Sequence, residues 1–520
     1  MKQNFVQGAM ILVVAGLFTR GLGTIYRILL SKYIGAEAIG LYQMAFPTLI
    51  MLITIVTAGM PVAVSKLVAE AEARHDRNMV KKILRISLLL VLSISILVSL
   101  LFYLSIPFIS KYFLTDSRIY LTLLAIVPII PIISISSILR GYFQGKQNMI
   151  PSATSTTIET IFRLIFGMSL SLMLLPYGAE YAAAGAMVGM AIGELVGFLV
   201  LITHFILNKN KEKYFRQNDS VYSKESLYQK ISRIALPVTT SQIFGSVAYF
   251  IEPSVVAHSL ALAGISTGVA TALYGQLAGM ALLIITFPTV ITFSLSQSLV
   301  PAVSEAAARR DLTTIYKRLH QALIIAFIIG LPSTVWMFIM ADPLAMALFN
   351  SPKVGQLIKI ISPFAIFLYL QKPLAATLQG LDKAKESMTN SIIGSITKTI
   401  AIIVLASRPQ FGIDGVAIAI NIGMLLVTFL HFRSIVHIIG YTIEVKPILT
   451  ISLSALIMGA ITYYLMFRAL IELPTGPRLL LVSLIGAICY IYLLLFLKVI
   501  KKKDFERIPW IGSKIVRILP

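Results

Sequence analysis

Five cations lie inside long apolar runs of the chain: Arg20, Arg27, Arg163, Lys372 and Lys398. One charge at the centre of a bilayer costs about 2.5–3.5 kcal/mol on insertion scales, so five carry a gross penalty of roughly 12–17 kcal/mol before any pairing. Such charges face a bundle interior or a watery cavity rather than lipid. A cavity lined by them suits an anionic substrate. Guanidinium is well matched to phosphate, because its planar fork donates two parallel hydrogen bonds. Arg20 and Arg27 are seven residues apart. That is about two helical turns, so they share a face with Gly16 and Gly23, roughly 10 Å apart along the axis. The competing role for these charges is ion pairing. Glu159 lies four residues before Arg163, on the same side of a helix, and Glu194 and Glu252 could neutralise two more. Three acids against five bases leave a surplus of about two cations. The same three glutamates are candidates for holding a coupling proton or cation.

The elements that must position these residues follow from composition. The 520 residues have a mean hydropathy of +0.87 and only 13% charged residues, about half the charged fraction of a soluble protein. The chain reads as an all-α integral membrane protein. A spanning helix needs about 20 mostly apolar residues, and on that rule about fourteen spans are expected, the first at 8–30, the second at 40–65 and the fourth at 119–140. The net charge of +22 does not point to nucleic acid, because it is confined to short segments between spans, where it sets topology and attracts anionic lipid. Of the 44 Lys and Arg, 31 fall in the N-terminus, the even-numbered loops and the C-terminal tail, against eight in odd-numbered loops. Positive segments stay cytoplasmic, so both termini are expected there.

The chain also repeats. Ala73-Arg74-His75-Asp76 aligns with Ala308-Arg309-Arg310-Asp311 at an offset of 235, and Gln144-Gly145 with Gln379-Gly380 at the same offset. Arg163 and Lys398 are partners at that offset, and Gly185 meets Gly415 nearby. The expected organisation is a six-helix bundle over 1–207, a polar linker over 208–230, a second six-helix bundle over 231–440, helices 13 and 14 over 441–500, and a basic tail over 501–520. An even number of helices per repeat makes the repeats parallel, an arrangement found in secondary transporters. The tail, with Lys501-Lys502-Lys503 and Trp510, reads as an interfacial helix on anionic lipid. Prolines recur inside spans, at Pro47, Pro128, Pro131, Pro288, Pro332 and Pro363, where each removes a backbone hydrogen bond and permits a kink.

Several chemistries are excluded. Cys489 is the single cysteine, so no disulfide framework exists within the chain. His431 and His437 are six apart and do not share a helical face; no metal or other cofactor is expected. Gly141-Tyr142-Phe143-Gln144-Gly145-Lys146 imitates a phosphate loop but is one residue short and lacks the hydroxyl residue. The outer loops are short and poor in carboxylates, which argues against a membrane glycosyltransferase. An enzyme is not expected.

Thr19-Arg20-Gly21-Leu22-Gly23, Gly40-Leu41-Tyr42 and the run Ala58-Gly59-Met60-Pro61-Val62-Ala63-Val64-Ser65-Lys66 carry a resemblance. The chain is similar over its whole length to the polysaccharide-transporter branch of the multidrug/oligosaccharidyl-lipid/polysaccharide (MOP) exporter superfamily, in its sporulation-associated subgroup. The resemblance implies a flippase for an undecaprenyl-pyrophosphate-linked sugar precursor, serving spore cortex peptidoglycan. It also implies a place in the cell or forespore membrane, lipid contacts, and cell-wall synthases as partners. Lipid II flippases of this superfamily line a cavity with arginines, and their first helix 1 arginine corresponds to Arg20. Their second corresponds to Tyr26, with Arg27 one residue beyond. Their arginines in helices 2 and 8 have no counterpart, since 40–65 and 253–304 contain no Lys or Arg; Arg163 and Lys398 are the expected substitutes. Export of another polysaccharide precursor or of a drug, and a non-transporting scaffold for cortex synthases, are the alternatives.

Overall fold

The structure is a computed structural model that describes residues 5–57, 59–211 and 227–499. The expected interior of the linker and the basic tail therefore lie outside the described residues. Among those described there is no strand, and about nine-tenths of them are helical. Thirteen stretches among the described residues are long and apolar enough to cross a membrane. The first of them, Ala15–Ala73, covers two of the expected spans.

Gly35 divides that stretch. Phe5–Thr57 is two helices that abut at Gly35, which takes φ 82° and ψ 172°, a conformation only glycine adopts without strain. The Arg27 guanidinium lies 5.7 Å from the centre of the Phe46 ring. In a straight helix those residues would stand roughly 28 Å apart along the axis. The chain therefore turns back on itself at Gly35. A Cβ there would meet nothing within 4 Å, so backbone conformation, not space, demands the glycine.

Contacts divide the chain into two units. The first runs to Met280 and includes Ile402–Ile413; the second comprises Ala281–Ala401 and the residues from Asp414 onward. In the first unit, Gly40 and Gly275 bring two helices to backbone contact. A Cβ on Gly40 would lie 2.1 Å from the Thr271 carbonyl oxygen, and one on Gly275 2.1 Å from that of Ala36. An ionic clasp closes beside them. Arg118 donates to Asp116 at 2.8 Å and to Glu37, while the Thr271 hydroxyl donates to Asp116 at 2.7 Å. Burial alone would raise the Asp116 carboxyl, but the bonds from Arg118 and Thr271 outweigh it and hold the group below its ordinary value.

In the second unit the ion pairs lie near helix ends, with Lys353 bonded to both oxygens of Asp414 at 2.9 Å. The Tyr369 hydroxyl, fully buried, donates to the carbonyl of Ile285 at 2.8 Å.

The repeated sequence has repeated geometry. Asp76 and Asp311 cap the helices Arg77–Phe108 and Leu312–Ile339, each accepting from a backbone N–H three residues on at 2.9 Å. The residues before them, His75 and Arg310, both take a left-handed φ, 57° and 56°. Gln147 and Asp382, also 235 apart, do the same at 56° and 60°. Pro128 and Pro363 share that offset too. Pro128 separates the helices Tyr120–Ile126 and Ile129–Gly145, and Pro363 stands in the 3-10 turn Ser362–Phe364 that precedes Ala365–Gly380.

Candidate functional site

The strongest concentration of charge inside the spans lies where the helix Ile150–Leu174 packs against Ala179–Lys211. Glycines at every fourth position of the second helix, Gly185, Gly189, Gly193 and Gly197, make the approach close. A four-residue period places them on one face, and small residues there let membrane helices meet backbone to backbone. A Cβ on Gly189 would lie 2.3 Å from the Cα of Gly167. One on Gly193 would meet the Glu159 carbonyl oxygen at 2.8 Å and the Arg163 Cβ at 2.9 Å, and one on Gly197 the Glu159 Cβ at 3.0 Å. The stripe therefore presses the turn carrying Glu159 and Arg163 into the neighbouring helix.

Glu159 is the hub of the cluster. One carboxylate oxygen accepts from Arg163 and the other from Arg140 at 2.7 Å. Arg140 comes from the helix Ile129–Gly145 and also reaches the Ser155 hydroxyl at 3.5 Å. Glu194, 5% exposed, faces Glu159, Arg140 and Arg163 from Ala179–Lys211. The side chains of Arg140 and Arg163 keep 24% and 25% of their surface, Glu159 only 6%. The acid thus lies behind the two cations, and the cations present the open edge. Three buried atoms of the cluster have no hydrogen-bond partner: Nε of Arg140, Nε of Arg163 and Oε2 of Glu194. Tyr26, whose buried hydroxyl is likewise unpartnered, lies against Gly167, and both Tyr26 and Tyr42 face Arg163.

The other sequence candidates fall as follows. Arg20 and Arg27 are both exposed on the first half of Phe5–Thr57, with Arg27 over Phe46. Glu252 is half-buried on Leu227–Leu262, facing Tyr249 and Tyr274. All three belong to the first unit, as does the Arg140–Glu159–Arg163–Glu194 cluster. Lys372 and Lys398 belong to the second. Lys372 is exposed and faces His431, and Lys398 is half-buried, with Gly423 packed over the base of its side chain. Arg140 escaped the sequence reading because the span was expected to end there. The helix instead continues to Gly145, since Gly141 and Gly145 pack on the carbonyls of Pro61 and Ser65, each 2.6 Å from the Cβ position. Those glycines of the imitation phosphate loop serve helix packing. Among the described residues no group of three metal-ligating side chains occurs.

Comparison with known proteins agrees with this architecture. The polysaccharide biosynthesis protein family matches residues 5–265, and the MatE family matches 258–405. Stage V sporulation protein B of Bacillus subtilis (strain 168) is 41% identical over 99% of this chain and 100% of its own length. The lipid II flippase MurJ of the same organism is 23% identical over 88% of each chain. Among solved structures, an inward closed conformation of the lipid II flippase MurJ superposes with a TM-score of 0.69 at 20% identity, covering 93% of this chain and 98% of that one. An inward-facing multidrug resistance MATE family transporter gives 0.65 at 16% identity, covering 81% and 94%. With a fold shared with transporters and a whole-length relative at this identity, the chain belongs to the polysaccharide biosynthesis protein family, the family of stage V sporulation protein B.

Proposed function

We propose that this membrane transporter of the MOP type is a flippase for a lipid-linked, pyrophosphate-bearing sugar precursor of the peptidoglycan class, acting in spore cortex synthesis. The observation that carries the reading is the pair of guanidiniums, Arg140 and Arg163, held at an open edge by the buried Glu159. Fixed guanidiniums in a site of low dielectric bind diphosphate strongly and cost little to reorganise. Arg20, Arg27, Lys372 and Lys398 would add positive charge along the substrate's route. The prenyl chain would stay in lipid while the bundles 1–207 and 231–440 alternate in access, both termini remaining cytoplasmic. The name of the MurJ relative supports the substrate class, and that of the sporulation relative supports a setting in sporulation; the forespore membrane and cell-wall synthases as neighbours are part of the proposal.

The test is translocation of a fluorescent prenyl-diphosphate sugar across vesicles that contain the purified protein. Wild type should move it, and the double variant Arg140→Ala/Arg163→Ala, present at equal abundance, should lose at least about tenfold in rate, the equivalent of about 1.4 kcal/mol. A double variant as fast as wild type removes the cluster from the substrate's path. A wild type that moves no precursor while still recruiting synthases supports the scaffold instead.

A further inference from the structure

The unpartnered atoms of the Arg140–Glu159–Arg163–Glu194 cluster lead beyond substrate binding, on the assumption that the proposed diphosphate site is correct. Two arginines and two glutamates sum to zero if both acids are ionised. Glu159 already spends both oxygens on the two guanidiniums. Glu194 is buried beside it with Oε2 unpartnered. Two facing carboxyls in a site of low dielectric do not both stay charged when a third anion arrives. A phosphate docking on the exposed part of the Arg140 and Arg163 side chains would bring surplus negative charge into the spans. One proton on Glu194 cancels one of the two negative charges that a doubly esterified diphosphate carries, and supplies an O–H where a buried oxygen now lacks a partner.

We infer that the cluster takes the substrate's diphosphate together with one proton, and that Glu194 is the group that holds the proton. The step is a simple acid–base one. A carboxylate accepts a proton from solvent as the anion docks, and returns it when the anion leaves. Glu159 remains the counter-ion of Arg140, while Glu194 adjusts the charge. The charged groups that face Glu194 are Glu159 and Arg163 from Ile150–Leu174 and Arg140 from Ile129–Gly145. Tyr26 and Tyr42 of Phe5–Thr57 face Arg163, and the short helix Tyr120–Ile126 carries no acid or base besides Tyr120 itself. On its own helix, His204 lies ten residues away and bonds to Thr154 at 3.3 Å.

The experiment is equilibrium binding of a short-chain prenyl-diphosphate sugar to the full-length protein in detergent, from about pH 6 to about pH 9. Both phosphates of that probe are esterified and do not titrate over this range, so any slope belongs to the protein. Wild-type affinity should fall towards about tenfold per pH unit on the alkaline side, the slope for one linked proton. Glu194→Gln should bind with no slope. Binding by wild type that is flat in pH overturns the inference and leaves the site reading intact. No binding at any pH overturns both. A slope that survives in Glu194→Gln and vanishes in Glu159→Gln puts the proton on Glu159 and also overturns it. Should Glu194→Gln fail to fold, an indicator dye in weak buffer measures the wild type directly. About one proton taken up per diphosphate bound at the alkaline end supports the assignment, and none refutes it.

Discussion

The helix pair around Arg163 and the pair around Lys398 share a packing plan and handle charge differently. Gly193 sits 2.9 Å, at its Cβ position, from the Cβ of Arg163, and Gly423 sits 3.1 Å from the Cβ of Lys398. The cation and its glycine thus recur at offsets of 235 and 230. The acids do not recur: at those offsets Glu159 becomes Gly394 and Glu194 becomes Met424. In the first pair Gly197 makes room for the Glu159 side chain. In the second the small residue has changed helix, so that Gly394 makes room for Val427, whose methyl would lie 2.0 Å from a Cβ at 394. The volume is kept and the polarity is not. Helix packing constrains a repeat through shape, so a glutamate–glycine contact can become a glycine–valine contact while the helices stay at the same separation. The charge is then free to diverge.

The largest effect expected from breaking this comparison is on stability. Glu159→Ala leaves two inward-held guanidiniums without their acid and should cost about 3–5 kcal/mol, the usual range for removing one partner of a buried pair. The unfolding midpoint in detergent reads it. The reverse graft sharpens the point. Gly394→Glu alone should destabilise by a similar amount because Val427 fills the space, and Gly394→Glu/Val427→Gly should recover most of the loss. No recovery would mean that the two pairs do not share a packing plan.

Next come the glycines themselves. Gly193→Ala forces a methyl to within 2.8 Å of the Glu159 carbonyl and 3.0 Å of the Arg163 backbone nitrogen, and should cost about 2 kcal/mol as overpacking. Gly423→Ala meets first the Lys398 Cβ, at 3.1 Å, a contact that a shift of a few tenths of an ångström relieves. It should cost less than about 1 kcal/mol. Equal costs would break the distinction. In the transport assay, Arg163→Lys should lose about tenfold, because ammonium lacks the fork that can bond Glu159 and phosphate at once. Lys398→Arg should change the rate by less than that.

The smallest effect belongs to the clasp at Asp116. Its carboxyl is held below the ordinary value when folded, so its contribution to stability is whole above the unfolded value, about pH 4, and is lost only as pH falls through the folded one. The difference in midpoint between wild type and Asp116→Asn should therefore stay level from about pH 8 to about pH 5 and shrink only below about pH 4. A difference that shrinks near neutrality would point to another group.

Much of the helical membrane fold was legible in the sequence, because apolar length reports on the bilayer directly. The Glu159–Arg163 pair was legible too, since four residues on one helix fix its geometry. Arg140 was not, because its helix outruns the apolar run through glycine contacts with a distant helix. Nor was the clasp, where Glu37, Asp116, Arg118 and Thr271 meet through tertiary packing that no local pattern encodes. The turn at Gly35 lies between two expected spans, and only the contact of Arg27 with Phe46 shows that the chain reverses there.

The pairing of Glu159 with Arg163 also bears on how the chain enters the membrane. The two are neighbours on one helical turn, so they can neutralise one another as the segment leaves the translocon, before any other helix is present. Ile150–Leu174 can therefore partition almost as if uncharged. Ala384–Ala406 carries Lys398 with no acid three or four residues to either side, so the roughly 2.5–3.5 kcal/mol for a central charge falls on insertion of that helix alone. The first pair of helices can be accepted by lipid one at a time, whereas the second must wait for company.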